Sequence, residues 1–193
     1  GRVKTYLRCD SRHVAEKMLK QLIGREKVEL SKAYHIVIRG LEEKIGNSLD
    51  AAGQTFSLGG TVDRIDEEDG VLRIIDYKTG YVDEPKLRPK SWEELSGDPK
   101  HSQAFQLLMY SWLYMKEHPG IQSLKAGIIS LRTPGKGLME MKPPGYGQID
   151  REAVSEFEMH LIDLLKKIAD PDIPFVQTSD MEACRYCNFK EIC

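Results

Sequence analysis

Two aspartates and a lysine carry the chemistry this chain is equipped to do. Asp63 stands on the first arm of GGTVDRIDEEDGVLRIIDYKTG, residues 59–80, and Asp76 and Lys78 on the second. Side chains two apart on a strand leave the same face, about 7 Å apart along the chain. Asp76 and Lys78 therefore point together, and an antiparallel return brings Asp63 beside Asp76. Unpaired charges in a segment this apolar cost several kcal/mol, on the order of 3–5 when one partner is lost. A divalent cation resolves the conflict. Mg²⁺ or Mn²⁺ takes one or two carboxylates, a backbone carbonyl and water at about 2.1 Å, often with a substrate phosphate completing the shell. Lys78 would then orient or deprotonate a metal-bound water, or neutralise charge on a phosphate in transfer. The competing reading is structural: Asp63 with Arg64, and Asp76 with Lys78, as surface ion pairs flanking a hairpin.

A second group of ligands closes the chain. Cys184, Cys187 and Cys193 have the spacing C-x2-C-x5-C, within reach of one soft metal centre. Three thiolates serve a tetrahedral Zn²⁺ that has a fourth ligand, or three corners of a [4Fe–4S] cluster. Cys9 could complete the set only if the N-terminal helix returns to the tail.

The elements that must hold these groups follow from periodicity. Thr61, Val62 and Ile65 on one arm and Val71, Leu72, Ile74 and Ile75 on the other, with EEDG between them, read as a β-hairpin. Val14, Met18, Leu22 and Ile23 give residues 10–24 a helix with one buried face, capped by Asp10 or Ser11 and stopped by Gly24. Residues 33–45 read as a further strand, with Glu42 a candidate extra acid. Residues 81–101, with Pro85, Pro89, Gly97 and Pro99, read as a long irregular connection; its Lys86, Arg88, Lys90 and Lys100 form a basic patch diluted by Glu93, Glu94 and Asp98. From Ser102 to about Glu117 the chain is helical, with Phe105, Leu108, Met109 and Trp112 in its apolar stripe. Gln103, Gln106 and Tyr110 make a polar-aromatic stripe beside it. Residues 124–132 are a buried strand, 133–148 a loop or flap, and Asp150 caps a last helix with Val154, Phe157, Leu161, Leu164, Leu165 and Ile168 inward, ended by DPDIPF. Helix, strands, helix, strand, helix gives an α/β or α+β architecture with a mixed sheet.

Composition sets the outer limits. With 193 residues, 40% hydrophobic and 30% charged, the chain reads as one soluble domain. Its 28 basic against 30 acidic residues leave a net charge of −2, so any contact with nucleic acid must be local. No run approaches a membrane span. Four cysteines so unevenly placed are no secreted disulfide framework, and the expected compartment is a reducing cytoplasm.

Taken together, Gly60-Thr-Val-Asp63-Arg64-Ile-Asp66, Ile75-Asp76-Tyr77-Lys78-Thr79-Gly80, Gln106-x3-Tyr110 and the cysteine tail resemble the RecB-like branch of the PD-(D/E)XK nuclease superfamily. The resemblance covers residues 59–193 and implies a restriction-endonuclease-like fold. It implies that Asp63, Asp76 and the Tyr77 carbonyl hold the divalent metal, that Lys78 assists the attacking water, and that Gln106 and Tyr110 organise the site and contact DNA. The tail is similar to the iron–sulfur staple of AddB-type helicase-nucleases and of CRISPR-associated four-cysteine nucleases. The branch normally adds a His in a Gly-x3-His setting, which neither His13 nor His35 supplies, and a first cysteine followed by Pro, whereas Asp10 follows Cys9. Those parts are expected upstream of residue 1, in a longer protein with a helicase domain in the same polypeptide or in a partner subunit. The implied activity is metal-dependent DNA hydrolysis, by exonuclease action, in repair. The rival is an inert nuclease-like module that grips DNA or protein.

Overall fold

A computed structural model describes the backbone of residues 2–32, 35–174, 176 and 184, with side chains from Arg12 onward. A long helix α1 (Arg2–Lys32) leads into β1 (Ile36–Ala51), β2 (Gln54–Glu68) and β3 (Val71–Lys78). Then come α2 (Trp92–Gly97), α3 (Ser102–Glu117), β4 (Ser123–Ser130), β5 (Met139–Glu140), β6 (Ile149–Asp150) and α4 (Arg151–Ala169). The sheet runs β1-β2-β3-β4-β5, with β6 also on β4. It is mostly antiparallel. Among the described residues only β3 and β4 are parallel, from Arg73 opposite Lys125 to Lys78 opposite Ser130, and α2 and α3 lie in the crossover between them.

Turn chemistry sets the register of the central hairpin. Asp69 and Gly70 take φ of 50° and 83°, the left-handed pair a two-residue turn demands. This places Asp66 opposite Arg73 and Arg64 opposite Ile75. The turn is shorter than EEDG, since Glu67 and Glu68 stay in the ladder.

The core lies where α3 and α4 cover the sheet. Leu107, Leu108, Trp112, Leu113 and Met115 of α3 meet Val62, Ile65, Ile74, Ala126 and Ile128 of the strands and Phe157 of α4. Trp112 Nε1 donates to Glu158 on α4 at 2.8 Å, and Phe105 packs edge-on to Phe157 at 5.5 Å between centroids. Asp150 caps α4 as expected, its Oδ1 accepting from Ala153 N at 2.9 Å. Val154, Phe157, Leu161 and Leu165 are buried, while Ile168 at the helix end is exposed.

Four expectations need correction. α1 runs through Gly24, because a glycine costs a helix interior only about 1 kcal/mol and the REKVELSK that follows includes good helix formers. It also lacks the expected buried face, for Val14, Ile23 and Val28 are each about half exposed. Residues 81–101 are no open loop: turns at Glu84–Leu87 and Pro99–His101 flank α2, and Val82, Leu87, Trp92 and Leu95 anchor them in the core. The stretch 133–148 contains β5, with Met139 and Met141 buried, so it is not a free flap.

Candidate active site

All five residues singled out for catalysis meet at the end of β3 that faces α3. Alternation along β3 sends Ile74, Asp76 and Lys78 toward α3. Lys78 Nζ lies 2.9 Å from Asp76 Oδ2 and 3.2 Å from Oδ1, and donates to Gln106 Oε1 at 3.3 Å. Gln106 Nε2 in turn donates to the Tyr110 hydroxyl at 2.8 Å. Gln106 and Tyr110 are one helical turn apart on α3, so a single face of that helix serves the whole chain of contacts. Gly60 of β2 makes room for it, since a Cβ there would stand 2.6 Å from Tyr110 Cε1.

Asp63 enters from β2 where the β2–β3 ladder stops. Regular pairing ends at Arg64 opposite Ile75, and Asp63 Oδ2 accepts the Tyr77 N–H at 2.7 Å, a side-chain oxygen replacing a strand carbonyl. Val62 and Ile65 are both fully buried in the one core, although residues three apart leave opposite faces of a regular strand. The strand therefore turns over at Asp63 and Arg64, which frees Asp63 to reach β3.

Asp76 is 5% exposed and Lys78 is its one cationic neighbour among the described residues: the ammonium bonds Oδ1 and lies 2.9 Å from Oδ2, off the line of a hydrogen bond. Burial pushes the Asp76 carboxyl above the ordinary range, Lys78 pulls it down, and the charge of Asp63 pushes it up again. Two acids whose ionised forms repel, with a single ammonium between them and solvent, are the donor set that would hold a divalent cation. Among the described residues no group of three His, Cys, Asp or Glu converges, so Asp63 and Asp76 would hold the ion with water, substrate and the Tyr77 carbonyl.

Behind the site lies a buried ion network that sequence reasoning missed. Asp66 is fully buried and receives Arg73 through two bonds, 2.7 and 2.9 Å, and Arg64 at 2.5 Å. Arg64 also donates to Glu26 of α1 at 2.9 Å and to the Tyr77 hydroxyl at 3.2 Å. Burial works against the charge of Arg64, yet Glu26, Asp66 and Tyr77 together hold its pKa above the usual arginine value. Arg64 is thus no surface partner of Asp63, as the structural reading had it. The signal was present: with an Asp-Gly turn at 69–70, Asp66 and Arg73 fall directly opposite each other.

Other candidates stay apart. Glu42 is exposed at φ 49°, and no hydrogen bond joins it to Asp63 or Asp76. Gln103 makes no hydrogen bond within this chain of contacts. His13 is exposed on α1, and His35 N donates to Asp69 Oδ1 at 2.8 Å, bracing β1 against the turn. The basic patch of residues 86–100 is largely neutralised: Lys86 faces Asp83, Arg88 faces Glu84 and Lys100 faces Asp98. Cys184 makes no disulfide among the described residues, and Cys187, Cys193 and the Cys9 side chain lie outside them. No helix among the described residues is long and apolar enough to cross a membrane.

A family model described as the PD-(D/E)XK nuclease superfamily matches residues 1–193. The chain belongs to that superfamily. Its sheet flanked by helices is consistent with the restriction-endonuclease-like fold the superfamily implies. Among solved structures, one titled "Crystal structure of SSO0001" aligns with a TM-score of 0.42 at 21% identity, over 89% of this chain and 66% of that one. This chain therefore spans just under two thirds of that protein's length. No curated protein matches it.

Proposed function

We propose that this PD-(D/E)XK domain is a Mg²⁺- or Mn²⁺-dependent deoxyribonuclease that hydrolyses phosphodiester bonds. The observation that supports this best is the linked chain Asp76, Lys78, Gln106 and Tyr110, with Asp63 anchored on the neighbouring Tyr77 N–H and its charge felt by Asp76. A divalent ion held there would polarise the scissile phosphate and make water more acidic. The chain's own groups do the rest. Asp63, anchored by the Tyr77 N–H, stands near enough to Asp76 for its charge to raise that carboxyl, and the two would hold the ion. Lys78, held by Asp76 and Gln106, orients the attacking water and offsets charge on the phosphate as the ammonium, and would take the water's proton only as the neutral amine. Gln106 and Tyr110 keep that ammonium from swinging into solvent, and the Tyr110 ring contacts the bound strand.

Exonuclease action in a DNA-repair helicase-nuclease is the setting that the Gln106-x3-Tyr110 and C-x2-C-x5-C spacings favour. Cys184, Cys187 and Cys193 would there hold a [4Fe–4S] cluster or Zn²⁺ with a fourth ligand. The test is Asp76→Ala in the complete protein. Degradation of linear DNA with Mg²⁺ should be lost, with circular dichroism unchanged; unimpaired degradation would refute the assignment.

A further inference from the structure

Just past the site, two loops present cations with no acidic partner. Tyr81 follows Lys78 by three residues and is 63% exposed, and Lys136 Nζ lies 5.7 Å from its ring centroid. The loops are tied side by side at the ends of the parallel strands: Leu131 N donates to Lys78 O at 2.8 Å, and Ser130 Oγ donates to Gly80 O at 2.9 Å. Arg132 is exposed on the second loop, and Arg25 of α1 reaches that loop, its Nη2 lying 2.8 Å from where a Cβ on Gly137 would stand. Among the described residues Arg25, Arg132 and Lys136 form no ion pair, while the nearby acids Asp83 and Glu84 are taken by Lys86 and Arg88.

We infer that Tyr81, with Lys136, Arg132 and Arg25, is a platform for single-stranded DNA beside the cleavage site. An exposed aromatic ring stacks unpaired bases of any sequence, and the surrounding cations take the phosphates that join them. In a chain of net charge −2, three cations without an ion-pair partner among the described residues, on or against the loop tied to Lys78 O, supply the local attraction that the whole molecule does not. A base within an intact duplex is already stacked and does not reach the ring, so the platform selects single strands or frayed ends. This inference rests on reading the neighbouring site as a nuclease centre and adds its strand preference.

The test measures fluorescence anisotropy of a labelled single-stranded DNA oligonucleotide with EDTA present, so binding needs neither metal nor cleavage. Tyr81→Ala should bind about tenfold more weakly, Tyr81→Phe like the wild type, and Lys136→Gln should lower the slope of log affinity against log salt by about 0.7. Duplex binding should be insensitive to Tyr81. Equal affinity of Tyr81→Ala and wild type, or equal losses in the Phe and Ala variants, would overturn the platform even if Mn²⁺ supports cutting. Binding that depends on Tyr81 as described, with no cutting when Mn²⁺ is added, would instead sink the nuclease reading and leave the platform standing.

Discussion

Asp76 carries opposing demands in one side chain. Its folded pKa lies above the ordinary 3.8, first through burial and then through Asp63, with Lys78 acting against both. A carboxyl raised in this way contributes fully to stability below its unfolded pKa, and that contribution is lost as pH rises through the folded value. At neutral pH without metal, the ionised group therefore weakens the fold. Asp76→Asn should melt higher than the wild type at pH 7 in EDTA and lose that advantage near pH 3; a variant that melts lower at pH 7 would contradict the charge assignment. The placement of Asp76 beside Lys78, with Asp63 on the neighbouring strand, was legible from spacing, because strand alternation and a two-residue turn leave few arrangements. Arg64 was not, since a charged residue looks alike on the surface and in a buried pair until its partners are placed.

At the scale of elements, the β2–β3 hairpin is a two-sided device. One side carries the acids toward α3, and the other carries Tyr77 to Arg64, where Glu26 of α1 joins them. Asp66 holds that second side together. Asp66→Asn leaves Arg64 with Glu26 alone and Arg73 with Glu68 alone, and should cost about 3 kcal/mol in urea denaturation, more than a surface pair would. Gly60→Ala probes the first side. The added methyl must displace the Tyr110 ring and with it the Gln106 bond. We expect a roughly 10- to 100-fold loss in kcat, with a change in stability of about 1 kcal/mol at most. Unimpaired turnover in this variant would show that Tyr110 placement is immaterial. The β2–β3 hairpin, α3 and α4 were readable because each has strong periodicity and clear turn or cap residues, whereas the β1–β2 hairpin, in which β1 runs on to Ala51 and not to residue 45, was not read. α2 and β5 were not, since in short segments tertiary burial of Trp92, Leu95 and Met139 outweighs Pro and Gly.

For the molecule as a whole, the parallel β3–β4 pair is the decisive feature. The crossover it requires brings α3 over the sheet and so sets Gln106 and Tyr110 against Lys78, a juxtaposition across 28 residues that periodicity alone does not give. The mixed α/β class was readable from element order, but the length and exposure of α1 were not, because its apolar residues follow helical spacing whether or not anything covers them. The central claim is that Asp63 and Asp76 share one cation, and titration calorimetry with Mn²⁺ tests it most directly. The wild type should bind a divalent ion at this site at millimolar concentration or below, and both Asp63→Ala and Asp76→Ala should abolish that binding. A wild type that binds no Mn²⁺, or variants that bind it undiminished, would contradict the account.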